Sequence, residues 1–217
     1  MFSLSEENYL KAIYHLEKQA DSGVSTNAIA EQMDTKASSV TDMVKKLSDK
    51  DLAIYRKYQG VQLSEAGKQT ALQIIRKHRL WEVFLVDKLN FSWDEVHEVA
   101  EQLEHIKSEK LITELDKFLD FPKRDPHGDP IPDAKGNFQV ANKTLLSNLE
   151  IGDFGKVVGV KDSSSEFLKY LDKNNIALGR EIHILDKEKF DESMLVEINE
   201  KQLRISPIVS SNIYIKS

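Results

Sequence analysis

Four of the chain's five prolines fall between Pro122 and Pro132. Each one lacks a backbone N–H and fixes φ, so neither a helix nor a sheet ladder runs through Phe121-Pro122-Lys123-Arg124-Asp125-Pro126-His127-Gly128-Asp129-Pro130-Ile131-Pro132. This stretch divides the 217 residues into two differently patterned halves, with a boundary expected between it and Asn148. Before it, apolar residues recur at helical spacing. Tyr9, Leu10, Ile13, Tyr14 and Leu16 predict a helix over Glu6–Lys18 that Asp21-Ser22-Gly23 ends. Ser25 caps a short helix to Met33, Asp34-Thr35 breaks it, and a third helix follows over Ala37–Lys50. Residues 52–58 and 59–63 read as two short strands with a turn near Gln59-Gly60, and helical patterns then run from Ser64 to Leu89 and from Trp93 to Phe118. After the prolines, short alternating segments (151–160, 181–185, 194–198, 202–205, 212–215) and one helix over Ser164–Lys173 predict a small β-barrel. The fold class is therefore mainly α with a small β part.

Helix, turn, helix, third helix and hairpin is the order of a winged helix-turn-helix. Its third helix exposes Ser38, Ser39, Thr41, Asp42, Lys45 and Lys46 while burying Val40, Val44 and Leu47, and Arg56, Lys57 and Tyr58 stand near the tip of the wing. A net charge of −6 argues against nucleic-acid binding by the whole surface, so any contact must be local. Lys36, Lys45, Lys46, Lys50, Arg56 and Lys57 against Asp42, Asp49 and Asp51 give that region a balance of +3. Double-stranded DNA is the expected partner, with Ser38, Ser39, Thr41 and Asp42 toward the major groove and Lys45, Lys46, Arg56 and Lys57 toward phosphate.

A second pattern lies in the helices that follow. On a helix, His97, Glu101, Glu104 and His105 fall within roughly a 100° arc beside an apolar stripe of Val96, Ala100, Leu103 and Ile106. His78 and Glu82, four apart, share a face of the preceding helix. A solvated helix face is the plain alternative in a chain that is 30% charged. Six nitrogen and oxygen donors beside packing positions favour one or two divalent cations. The zinc-protease reading of His97-Glu98-x-x-Glu101 fails because Glu stands where the second His must be. With no cysteine, disulfides, thiolate zinc sites and iron–sulfur clusters are excluded, and the remaining donors suit Mn²⁺ or Fe²⁺ better than structural zinc. No run of eighteen apolar residues exists and Met1–Glu7 lacks the basic and apolar regions of a signal peptide, so a cytoplasmic location without membrane insertion is expected.

Several segments resemble the diphtheria-toxin-repressor and manganese-transport-regulator family of metal-dependent transcriptional repressors. They are Glu7–Tyr14, Ser38–Leu47, Arg76–Glu82, Leu103-Glu104-His105 and Asp125–Pro132. The resemblance covers essentially the whole chain. It implies a winged helix DNA-binding domain over 1–65, a helical metal-binding and dimerisation domain over 66–140, and an SH3-like domain of the ferrous-transport-accessory kind over 148–217. Position by position, His78, Glu82 and His97 match the ancillary metal site, and Glu101, Glu104 and His105 the primary site. Asn8 stands where iron-type members have Met and manganese-type members Asp. Glu101 sides with the manganese type, whereas Lys11 stands where that type has Glu. Glu166 lies where iron-type members place a ligand from the SH3-like domain, beside Ser163 at the companion position. The family implies a homodimer with two Mn²⁺ or Fe²⁺ per protomer as corepressor, acting on operators of metal-uptake genes. Two other readings remain: a metal-dependent hydrolase using the His/Glu cluster, and a winged helix regulator sensing a small organic molecule between its long helices.

Overall fold

The computed structural model describes residues 2–20, 23–56, 59–139 and 142–216, grouped in two compact units. The first unit comprises Met1–His78, Glu101–Ile112 and Pro132–Phe138; the second comprises Arg79–Ala100, Thr113–Ile131 and Gln139–Ser217. None of the described helices is long and apolar enough to cross a membrane.

The first unit begins with α1 (Leu4–Glu17), whose start is fixed by a capping box. Ser3 accepts from the Glu6 N–H through its hydroxyl, and the Glu6 carboxylate accepts from the Ser3 N–H. Helix α2 (Thr26–Gln32) is capped by the Ser25 hydroxyl. Asp34, in the left-handed region at φ 45°, turns the chain into α3 (Ala37–Ser48). The wing is the antiparallel hairpin of β1 (Ala53–Arg56) and β2 (Gly60–Leu63), in register from Ala53↔Leu63 to Arg56↔Gly60. Leu10, Ile13, Ile29, Val40, Val44, Leu47 and Val61 are all fully buried and fuse the helices and hairpin into one core. The expected winged helix is thus present. The wing residues Lys57 and Tyr58, and Asp21-Ser22, lie outside the described residues.

Helix α4 (Glu65–Leu89) starts at Ser64, whose hydroxyl accepts from the Gly67 N–H and donates to the Asp51 carbonyl. The single helix expected from Trp93 to Phe118 is in fact two, α5 (Val96–Leu103) and α6 (Glu109–Phe118). The interruption has a local cause. The Ser108 hydroxyl accepts from the Leu111 N–H and nucleates a new helix, while the Ile106 N–H returns to the Leu103 carbonyl. Glu104 and His105 therefore sit in a turn rather than on the helix face on which the periodicity places them.

The second unit holds an antiparallel six-stranded sheet in the order β3-β8-β4-β5-β6-β7. Its strands are β3 (Thr144–Leu145), β4 (Phe154–Val160), β5 (Glu181–Lys187), β6 (Met194–Ile198), β7 (Lys201–Ile205) and β8 (Ile213–Lys216). This is the SH3-like barrel in open form, with β3 and β7 as its edges among the described residues. Helix α7 (Ser165–Lys173), capped by Ser164, covers a core that includes Leu168, Leu171, Ile182, Ile184, Val196 and Ile213. A short α8 (Pro207–Ser210) precedes β8.

The proline-rich stretch is ordered by its own hydrogen bonds. Asp125 Oδ1 accepts from the His127 and Asp129 N–H groups, each at 2.9 Å, and the Ile131 N–H donates to the Lys123 carbonyl. Gly128, at φ +86°, lies so close to β4 that a Cβ there would stand 2.1 Å from the Val158 carbonyl oxygen. The Val160 N–H completes the anchor by donating to the His127 carbonyl at 3.0 Å. Only a glycine permits both that backbone angle and that approach.

Candidate metal centres and nucleic-acid interface

Two clusters of carboxylates and imidazoles are built, one in each unit. In the first unit, Glu7, Asn8 and Lys11 project from one side of α1, as spacings of three and four dictate. Glu104 is fully buried and Glu101 partly so. The Lys11 ammonium lies 2.5 Å from Glu101 Oε2 and 2.7 and 2.9 Å from the two Glu104 oxygens. His78 donates from Nδ1 to Glu104 Oε2 at 2.6 Å. Burial raises the Glu104 carboxyl, but the His78 hydrogen bond and the Lys11 charge outweigh it and hold the group below its usual value.

His105 donates from Nδ1 to Glu7 Oε2 at 2.6 Å, and its Nε2 is 3.8 Å from Glu104 Oε1. Donation from Nδ1 leaves the neutral ring's lone pair on Nε2, facing the carboxylates. This carboxylate-oriented imidazole is how proteins prepare a metal-ligating histidine. Glu7 is therefore an orienting residue that the sequence pattern did not single out. The Asn8 carbonyl oxygen is buried without a hydrogen-bond partner. A buried oxygen that nothing satisfies, one residue from Glu7 and three from Lys11 on α1, fits a hard or borderline divalent cation.

In the second unit, Glu82 from α4 meets Asp125 and His127 from the proline-rich turn. One ligand atom from each lies within 4.8 Å of the others, and all three residues are buried. His127 Nε2 donates to the Trp93 carbonyl at 2.7 Å, which leaves Nδ1 to face Glu82 Oε1 at 3.7 Å. The Arg79 guanidinium pairs with Asp125 at 3.2 Å and Asp129 at 3.1 Å. Burial, reinforced by Glu82, pushes the Asp125 carboxyl up to about 7 despite Arg79. His97 is mostly exposed, with Nδ1 3.5 Å from Glu82 Oε1. Glu166 is exposed in the first turn of α7. In the sequence, Asp125 and His127 stand out only as part of the family segment Asp125–Pro132. Their signal is an Asp-x-His turn closed by a glycine, which carries no helical or strand period.

On α3, Lys36, Ser38, Ser39, Asp42, Lys45 and Lys46 are exposed, and so is Arg56 at the end of β1. Thr41 is half-buried and donates its hydroxyl to the Ala37 carbonyl at 2.9 Å, so toward a base it retains only acceptor capacity. Asp42 lies 4.0 Å from Lys45. Lys46 and Lys50 reach back to the buried Glu6 carboxylate at 3.2 and 2.6 Å. Burial of Glu6 is opposed by Lys50, the Ser3 N–H and Lys46, which together lower its carboxyl to about 2. One side of α1 thus faces the carboxylate cluster while Glu6 pairs with Lys46 of α3.

Three family models match. Residues 1–61 match the N-terminal DNA-binding domain of iron-dependent repressors, 64–133 their metal-binding and dimerisation domain, and 144–217 the FeoA domain. The chain is 36% identical over 126 residues to the iron-dependent repressor IdeR of Mycobacterium tuberculosis, covering 58% of this chain and 54% of that one. It thus spans about half the length of such curated relatives. To the diphtheria toxin repressor of Corynebacterium diphtheriae it is 26% identical over 193 residues, 84% of each chain. Among solved structures, a manganese-dependent transcriptional repressor in complex with manganese superposes with a TM-score of 0.83 at 33% identity, covering 98% of this chain and 99% of that one. The manganese regulator SloR superposes at 0.72 with 38% identity over 97% of both chains.

Proposed function

Because this chain belongs to the iron-dependent repressor family, we propose that it is a cytoplasmic, homodimeric transcriptional repressor whose operator binding depends on Mn²⁺ or Fe²⁺ and whose targets are metal-uptake genes. The observation that carries this reading is the double engagement of α1. Glu6, on α1, holds Lys46 of the DNA-facing helix and Lys50 just past its end, and α1 also brings Lys11 to Glu101 and Glu104 and Glu7 to His105. Anything that resets α1 against those three residues is felt at α3.

Asn8, Glu101, Glu104 and His105 would hold one cation, with His105 oriented by Glu7, and His78 remains a candidate ligand beside Glu104. Glu82, Asp125 and His127, with His97 alongside, would hold a second, and Glu166 remains a candidate ligand. A bound ion supplies a divalent charge that ties donors from separate segments together. The chain's residues do the rest: Glu7 fixes the His105 tautomer, Trp93 fixes that of His127, and Arg79 orients Asp125. Ser38, Ser39 and Asp42 face the major groove, while Lys36, Lys45, Lys46, Arg56 and Lys57 meet phosphate. A coupling of about 1–3 kcal/mol between ion and operator changes affinity about 5–150-fold. The division into parts at 1–65, 66–140 and 148–217 is supported by the three family-model spans. Exposed Leu89, Phe118 and Phe121 supply apolar surface for a dimer contact.

The relatives named above are repressors and regulators, and the hydrolase reading finds no support among them. The test is operator binding by fluorescence anisotropy, on duplexes selected from a random pool, with MnCl₂, FeCl₂ or EDTA. Tight, sequence-specific binding should require the added ion. Equal binding in EDTA would overturn the proposal.

A further inference from the structure

The Lys11 ammonium occupies the centre of a set that otherwise consists of donor atoms. Three carboxylate oxygens surround it within 2.9 Å, its side chain is 15% exposed, and one of the two carboxylates is completely buried. Two buried or partly buried carboxylates at such range repel each other and require a nearby cation. Lys11 is that cation, and it is attached to α1 by a flexible four-carbon stem. A second cation bound by the same oxygens cannot share the position, since like charges at that range repel strongly in a partly buried site.

We propose that Lys11 is a tethered competitor for the divalent cation at Glu101 and Glu104. Its ammonium neutralises the carboxylates of the ion-free chain and must be expelled for the ion to bind. This rests on the metal-site reading above. Tethering matters because an intramolecular competitor acts at an effective concentration in the millimolar range or above, whatever the protein concentration. It therefore sets how much free ion is needed before the site fills. Expulsion also breaks the link from α1 to Glu101 and Glu104, so the contact that measures the ion belongs to the helix that grips α3.

Two measurements on the full chain test this. The first is MnCl₂ calorimetry without DNA on the parent, Lys11→Met and Glu104→Gln. Lys11→Met should raise Mn²⁺ affinity at least about tenfold and lower the melting temperature of the ion-free protein, while Glu104→Gln should lose that binding event. The second needs no variant: acylation of Lys11, followed by peptide mass spectrometry, should be slow in EDTA and accelerate on addition of MnCl₂. The exposed Lys189 serves as reference. Unchanged or weaker Mn²⁺ affinity in Lys11→Met, or Lys11 acylation indifferent to bound Mn²⁺, would overturn the competitor role and leave the metal site standing. A parent chain that binds no Mn²⁺ would sink the metal-site reading, and this inference with it.

Discussion

Replacing Glu6 by Gln isolates the charge that joins α1 to α3. Gln can still accept the Ser3 N–H, so the capping box survives and only the ion pairs with Lys46 and Lys50 are lost. Truncating one partner of a fully buried pair costs about 3–5 kcal/mol. Here the lysine side chains are 53% and 37% exposed, so both ammoniums remain partly hydrated after the change. The fall of the Glu6 carboxyl from 4.5 to about 2 corresponds to about 3 kcal/mol if none of it is screened. Solvent screening at the two lysines reduces this to about 1–3 kcal/mol. A carboxyl lowered by folding stabilises the protein above its unfolded-state value, and that contribution disappears as pH falls through the folded one. The parent should therefore be more stable than Glu6→Gln by about 1–3 kcal/mol near neutrality, and the gap should close between about pH 4.5 and about pH 2. Urea denaturation in EDTA, followed by far-ultraviolet circular dichroism at a series of pH values, measures that difference. A gap that is independent of pH would refute the charge argument and leave a packing defect as the cause.

Three further outcomes are expected. Lys46→Ala should weaken binding to all DNA sequences alike and reduce the slope of log affinity against log salt by about 1; a changed sequence preference in a binding-site selection would refute the phosphate role. Gly128→Ala places a Cβ 2.1 Å from the Val158 carbonyl at φ +86°. It should lower stability by about 2–3 kcal/mol and reduce the number of Mn²⁺ bound per chain, read by thermal melting and elemental analysis. Glu101→Cys exchanges a hard donor for a soft one and should raise Co²⁺ and Zn²⁺ affinity relative to Mn²⁺, a change in ranking that competition titrations would detect.

The amino-terminal half was legible because its signals are local. Ser25 before Thr26–Gln32, the period of Val40, Val44 and Leu47, and Gly60 in the hairpin each dictate a piece of backbone on their own. The carboxylate cluster was legible in composition but not in geometry. Its periodicity continues past Leu103, whereas the helix stops there, Ser108 starts a new one, and Glu104 in the turn between them meets Lys11 of α1. Lys11 sits at an ordinary helix position, and only the packing of α1 against Glu101 and Glu104 gives it a role. Asp125 and His127 become neighbours of Glu82 through an aperiodic turn seated on β4, and no spacing rule along the chain records that contact.

The open sheet of the second unit has a consequence for solubility. A sheet that does not close carries two rows of free backbone donors and acceptors, each able to template a strand from another copy. At one edge β3 has only two residues, too few to hold a foreign strand. The other edge, β7, is longer but exposes Lys201 and Arg204, the latter partly offset by Asp186 at 3.5 Å. Two copies meeting antiparallel along β7 would bring cation against cation, so the edge that offers hydrogen bonds also repels its own likeness and discourages fibre growth.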